Sequence, residues 1–148
     1  MATGGPNNTS PSYPVVDFVP QKSYPSFSSL VNQPITITSN LASAASFTAA
    51  QVLGGFITSS NAAAQTLTLP TAALLVPAIE GGQVNSSIRF FVQATTGTST
   101  VAVGTGGTFA AGATATVAAG SLRELLLVIT AVGDSPSYTV YSLGTSVY

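Results

Sequence analysis

From Ile35 onward apolar and polar residues alternate at the two-residue period of a strand, over stretches too short for long helices. Ile35-Thr36-Ile37-Thr38 alternates strictly, and Gln65-Thr66-Leu67-Thr68-Leu69 alternates until Pro70 stops it. Residues 87–94, 100–103, 114–117, 122–131 and 137–143 read as further strands. Turn clusters separate them: Thr96-Gly97-Thr98, Gly104-Thr105-Gly106-Gly107 and Gly133-Asp134-Ser135-Pro136. Short strands punctuated by Gly and Pro predict an all-β fold, an antiparallel β-sandwich. Two short helices interrupt it. Thr48-Ala49-Ala50-Gln51-Val52-Leu53 offers an N-cap residue in front and Gly54-Gly55 behind. Thr71-Ala72-Ala73-Leu74-Leu75-Val76 follows Pro70, with Thr71 able to cap and Pro77 disfavouring helix beyond Val76.

One strand departs from simple alternation. Leu122-Arg123-Glu124 has mixed polarity, but Leu125, Leu126, Leu127, Val128 and Ile129 are apolar on consecutive positions, so both faces are dry. Either the strand lies under a helix or its outer face is covered by another subunit. The low charge of the chain favours the second, and these five residues are the expected oligomer interface.

The first 34 residues follow a different rule. They hold six of the nine prolines, each fixing its own φ and biasing the residue before it to extended geometry. Between them sit Tyr13, Val16, Phe18, Tyr24 and Phe27, side chains that a flexible linker lacks. An extended anchoring arm over 1–34, ordering against a partner through those five residues, precedes a β domain over 35–148.

Charge then narrows the function. Ala, Thr, Ser and Gly number 21, 20, 19 and 14, half of the 148 residues, while only 5% are charged and there is no His, Cys or Trp. Zinc, haem and iron–sulfur sites draw on His and Cys, so no such cofactor or metal is expected. Ser–His and Cys–His nucleophile pairs are excluded for the same reason. Three cations, Lys22, Arg89 and Arg123, are too few to neutralise a nucleic-acid backbone. The longest apolar run, residues 72–79, is far short of a membrane span, so no direct membrane insertion is expected. A net charge near zero predicts poor solubility as a free monomer.

The carboxylates are Asp17, Glu80, Glu124 and Asp134. Asp17 falls in the arm, Glu80 and Asp134 in loops, and Glu124 beside Arg123 on a strand, where neighbours point to opposite faces. No spacing favours a converging catalytic pair. Gly104, Gly106 and Gly107 lack the Gly-Lys-Ser/Thr of a phosphate loop and read as a hairpin turn. The chain reads as a non-enzyme.

The stretches Thr48 to Ile57, Gln65 to Ala73, Ser87 to Val92, and the ending, with Leu125 to Thr130 and Tyr138 to Gly144, resemble a small module of accessory capsid and fibre-type proteins of double-stranded DNA viruses and phages. The resemblance covers residues 46–144, and Thr-Leu-Thr-Leu-Pro-Thr-Ala-Ala at 66–73 is its most specific part. It implies a jelly-roll-like sandwich, commonly trimeric, with no catalytic residues. The expectation is a minor capsid, cement or decoration protein. It would be a homo-oligomer, assembled in the host cytoplasm into the virion, with its arm on neighbouring capsid proteins. The alternative is a fibre-tip module recognising host glycan or protein, for which Tyr138, Tyr141 and Tyr148 are the available aromatics; Tyr138 and Tyr141, three apart, face opposite sides of a strand.

Overall fold

The computed structural model describes residues 36–38 and 45–147. They belong to one compact unit, Pro34–Tyr148. The arm, with Tyr13, Val16, Phe18, Tyr24 and Phe27, lies outside the described residues, as does Tyr148. In chain order the elements are β1 (Thr36–Thr38), β2 (Ala45–Ser46), α1 (Ala49–Leu53), β3 (Gly55–Ser59), β4 (Gln65–Thr68), α2 (Ala72–Ala78) and β5 (Ser87–Ala94). Then come β6 (Ser99–Ala102), β7 (Gly107–Phe109), β8 (Thr116–Val117), β9 (Ser121–Ala131) and β10 (Ser137–Val147). The all-β class holds.

The strands form a six-stranded sheet, β1-β3-β5-β9-β10-β7, and a four-stranded sheet, β2-β4-β6-β8. From β1 to β9 the chain changes sheet at every step, and from β1 to β6 each strand pairs with the next but one in its own sheet and runs the same way. β1 and β3, β3 and β5, β2 and β4, and β4 and β6 are therefore parallel, as are β7 and β10. Antiparallel pairing is confined to β5 with β9, β9 with β10, and β6 with β8. The expected antiparallel sandwich is thus a pair of mixed sheets, and this winding is not the two antiparallel Greek keys of a jelly roll. Alternation along a strand reports which residues are buried; it is silent on the direction of the neighbouring strand.

Both sheets and both helices feed one core. Ile57, Phe90, Val92, Leu125 and Leu127 from the six-stranded sheet join Leu67, Val101 and Val117 from the smaller one, with Val52 and Leu75 from the helices. Polar groups also bridge the sheets. Gln65 of β4 is buried and donates through Nε2 to Ser59 Oγ of β3 and, at 3.4 Å, to Ser99 Oγ of β6, while Asn61 Nδ2 donates to its Oε1 at 3.2 Å. A buried amide keeps its stability only with such partners.

Local signals place the helices. Thr48 and Gln51 form a capping box: Gln51 N–H donates to Thr48 Oγ1 at 3.3 Å and Thr48 N–H to Gln51 Oε1 at 2.8 Å. Gly55, at φ +85°, turns the chain out of α1. In α2 two expectations fail. Thr71 makes no side-chain cap; instead the Ala72 N–H donates to Thr105 O at 2.8 Å, a tertiary partner in place of a local one. Pro77 lies inside the helix, which runs on to Ala78. It sits in the last turn, where the loss of its N–H costs one bond only. The glycine cluster at 104–107 is not a hairpin, because it carries the chain from β6 in one sheet to β7 in the other. A Cβ on Gly104 would lie 2.7 Å from Leu69 O, so this crossover packs tightly against the end of β4.

Candidate interaction surface

Period-two geometry splits the expected interface in half. Leu125, Leu127 and Ile129 are fully buried in the core, so they cannot meet another subunit. This corrects the expectation for those three: one face of β9 is dry because the second sheet covers it. Leu126 and Val128 point the other way and are half-buried.

They belong to the outer face of the six-stranded sheet. Register places Phe56 opposite Phe91, Phe91 opposite Glu124, Arg89 opposite Leu126, and Leu126 opposite Tyr141. The Phe56 and Phe91 ring centroids are 6.1 Å apart at 32°, a tilted pair on the pleated surface. Tyr141 is 42% exposed. The charge on this face is self-neutralised, since Arg89 Nη1 lies 3.3 Å from Glu124 Oε1 on the adjacent strand. The neighbour in sequence, Arg123, turns inward as alternation requires. Its Nη1 donates to Ser142 Oγ at 2.6 Å, its Nε is buried without a partner among the described residues, and burial lowers its pKa.

The two tyrosines of β10 also separate by face. Tyr138 is fully buried; its hydroxyl donates to Pro70 O at 2.8 Å and accepts from the Gly104 N–H at 3.2 Å. Burial raises its pKa, and the bond from Gly104 opposes that in part. It pins the crossover to the six-stranded sheet and is unavailable to a ligand. Only Tyr141 remains as an accessible stacking ring among the described tyrosines.

The edge of the sheet changes character along β10. β7 pairs with Tyr138, Thr139 and Val140, and the Ala110 N–H donates to Val140 O at 2.9 Å. Beyond that point, among the described residues, β9 is the only strand paired with β10. Tyr141, Leu143 and Val147 are exposed there, Val147 to 81%.

The described carboxylates fall in three different parts of the chain. Glu80 follows α2, Asp134 lies in the β9–β10 turn, and Glu124 is in mid-strand. Among the described residues no three His, Cys, Asp or Glu side chains are grouped to hold a metal. A shallow groove of about 370 Å³ is lined by Val76, Pro77, Ile79, Gly82, Val132 and Pro136, with no titratable side chain. No helix among the described residues is long and apolar enough to cross a membrane. No family model matches this chain, and neither a curated protein nor a solved structure matches it.

The alternating winding was the feature that strand-by-strand reading missed, and it has a signal. Phe56-Ile57-Thr58-Ser59 then Gln65-Thr66-Leu67-Thr68 is followed, in the same order, by Phe91-Val92-Gln93-Ala94 then Ser99-Thr100-Val101-Ala102. Each member pairs in parallel with its counterpart. Similar strands recurring in one order are what a parallel coil produces.

Proposed function

We propose that this chain is a structural component of a virus particle, a minor capsid, cement or decoration protein that self-associates. The observation that carries this reading is the outer face of the six-stranded sheet, where Phe56, Phe91, Leu126, Val128 and Tyr141 accompany a single neutralised ion pair. Interface cores are depleted in charge and enriched in aromatic side chains in the same way. The 5% charge of the whole chain and the resemblance at residues 46–144 point in the same direction. In architecture we read a sandwich of two mixed sheets around the shared core, closed at one end by the helices.

In this role the chemistry is association alone. Copies meet through apolar strand surfaces, the arm over residues 1–34 runs along neighbouring capsid proteins, and many modest contacts add through multivalency. Tyr13, Phe18, Tyr24 and Phe27 are the arm's large buriable rings. The test compares the full chain with a form lacking residues 1–34 during particle assembly, with copy number read by quantitative mass spectrometry. High copy number and sharply reduced incorporation of the shortened form are expected. A few copies per particle together with specific binding on a glycan array would instead establish the fibre-tip reading.

A further inference from the structure

We propose that the free edge of β10, from Ser142 to Thr145, is a dimerisation edge filled by the same edge of a second copy running antiparallel. The proposal deepens the self-association reading above and rests on it.

The directions of the backbone groups follow from register. The Ile129 N–H donates to Ser86 O, on the β5 side of β9. The β5–β9 register is unbroken from Val128 to Ser121, so Leu125 and Arg123 direct their N–H and C=O groups to β5 as well. Their opposite numbers on β10 are Ser142 and Thr145. Those two therefore aim their own N–H and C=O groups away from β9, toward the side where no described strand pairs, and Val147 follows Thr145 by alternation. At the start of β9 the Ser121 N–H turns instead to Ala118 O at 3.1 Å. Tyr138, opposite Ile129, checks the assignment: its N–H donates outward to Gly106 O at 3.1 Å.

The occupant is identified by an irregularity. The register shifts between Ser142 and Gly144, so outward-bonding residues run Tyr138, Val140, Ser142 and then Thr145, Val147. The spacing is two, then three, then two. An ordinary strand offers bonding groups every second residue and can match this edge on only one side of the shift. A second copy, antiparallel, carries the same three-residue step in the same place. Ser142 then meets the second copy's Thr145, and Thr145 meets the second copy's Ser142, about a two-fold axis between Leu143 and Gly144; Val147 falls opposite the second copy's Val140, which β7 and the Ala110 N–H already occupy, and lies outside the pairing. Such a contact is isologous and closes at two copies. Apart from the bulge, the usual guards of an edge strand are missing: residues 141–147, Tyr-Ser-Leu-Gly-Thr-Ser-Val, contain no Lys, no other charge and no Pro. Two identical uncharged edges meet without repulsion. The bulge that deters a foreign strand is neutral toward its own copy.

Thr145→Pro tests this directly, because it deletes an outward N–H that β9 does not use and follows Gly144, which tolerates a proline after it. The full chain is run in sedimentation equilibrium across micromolar concentrations, with circular dichroism as the check of fold. A dimer is expected for the parent, and at least about a hundredfold weaker association for a folded Thr145→Pro, since symmetry applies the loss twice. Leu143→Lys, which places two like charges beside the axis, is the second variant and decides the matter if the proline form does not fold. A parent that is monomeric throughout overturns both this edge and the self-association reading. An oligomer, dimer or trimer, that survives a folded Thr145→Pro or Leu143→Lys unchanged overturns the edge and leaves self-association standing.

Discussion

β10 contains two different strands joined end to end. From Ser137 to Val140 it runs between β9 and β7, with Tyr138 and Val140 sealed in the core. From Tyr141 to Val147 it has β9 on one side alone among the described residues, and most of its side chains are exposed. The composition of the two halves is similar, both being Ser, Thr, Tyr and aliphatic residues, with Gly144 added in the second. What separates them is the company each keeps. A residue's energetic weight follows the number of surfaces it touches, so equal substitutions in the two halves should have unequal effects.

The largest contrast is expected between the two tyrosines. Tyr138→Ala removes a fully buried ring and leaves Pro70 O and the Gly104 N–H without their partner. A loss of about 3–5 kcal/mol is expected from the cavity alone. Tyr141→Ala, on a 42% exposed side chain, should cost under about 1 kcal/mol. Urea denaturation at fixed protein concentration measures both, and similar values for the two would erase the distinction between the halves.

Two glycines sharpen it further. A Cβ on Gly107, beside the first half, would lie 2.4 Å from the Tyr138 Cζ, and the ring has no room to retreat. Gly107→Ala should therefore destabilise by about 1–3 kcal/mol, the usual cost of overpacking. Gly144, in the second half, has open space around it and no positive φ. Gly144→Ala should be neutral or stabilise by up to about 1 kcal/mol through the unfolded chain. A shift of Gly144→Ala in the destabilising direction would show that the bulge needs glycine.

The alkaline limb follows from the same burial. Tyr138 has its pKa raised above 10.0 in the folded chain, so on raising pH the unfolded state loses its proton first. Stability from this group is fully present below pH 10 and falls as pH rises through the folded pKa. Tm measured from about pH 8 upward should be flat and then decline, and Tyr138→Phe should decline less steeply. Equal slopes would mean that other groups set the alkaline limb.

Much of the fold could be read from the chain, because burial and local turn chemistry leave direct marks. Ser87–Ala94 is a strand with the bounds its alternation gave, and Thr48 caps α1 as its position suggested. Three strands were missed: Ala45–Ser46 is only two residues long, and Gly55–Ser59 and Gly107–Phe109 begin at glycines used as turn signals, so the strand began where a break was expected. Sheet direction was invisible because alternation is the same in parallel and antiparallel strands. At the candidate surface, five consecutive apolar residues looked like one interface. Leu125, Leu127 and Ile129 serve the core, and Leu126 and Val128 the outer face. No pattern within that segment separates the two sets; knowing which sheet covers which face does.

The smallest effect is expected at the one ion pair among the described residues. Glu124 stands opposite Gly144 in the register and accepts from Arg89 at 3.3 Å across to β5, on a face where Arg89 is 68% exposed. An exposed pair of this kind contributes about 0–1 kcal/mol, because solvent and salt screen the attraction and two long side chains lose freedom. Glu124→Gln keeps the shape and an acceptor oxygen for Arg89. Its stability should match the parent to within about 0.5 kcal/mol, and the small difference should vanish at high salt. Particle incorporation should be unchanged, as it should for Glu80→Gln and Asp134→Asn, since the proposed role uses none of these carboxylates chemically. If Glu124→Gln abolished incorporation while the chain still folded and associated, the outer face would be recognising a partner through that charge. The apolar strip beside it would then be the frame of a polar site, and the contrast between a charge-neutral face and a bonding edge would have to be redrawn.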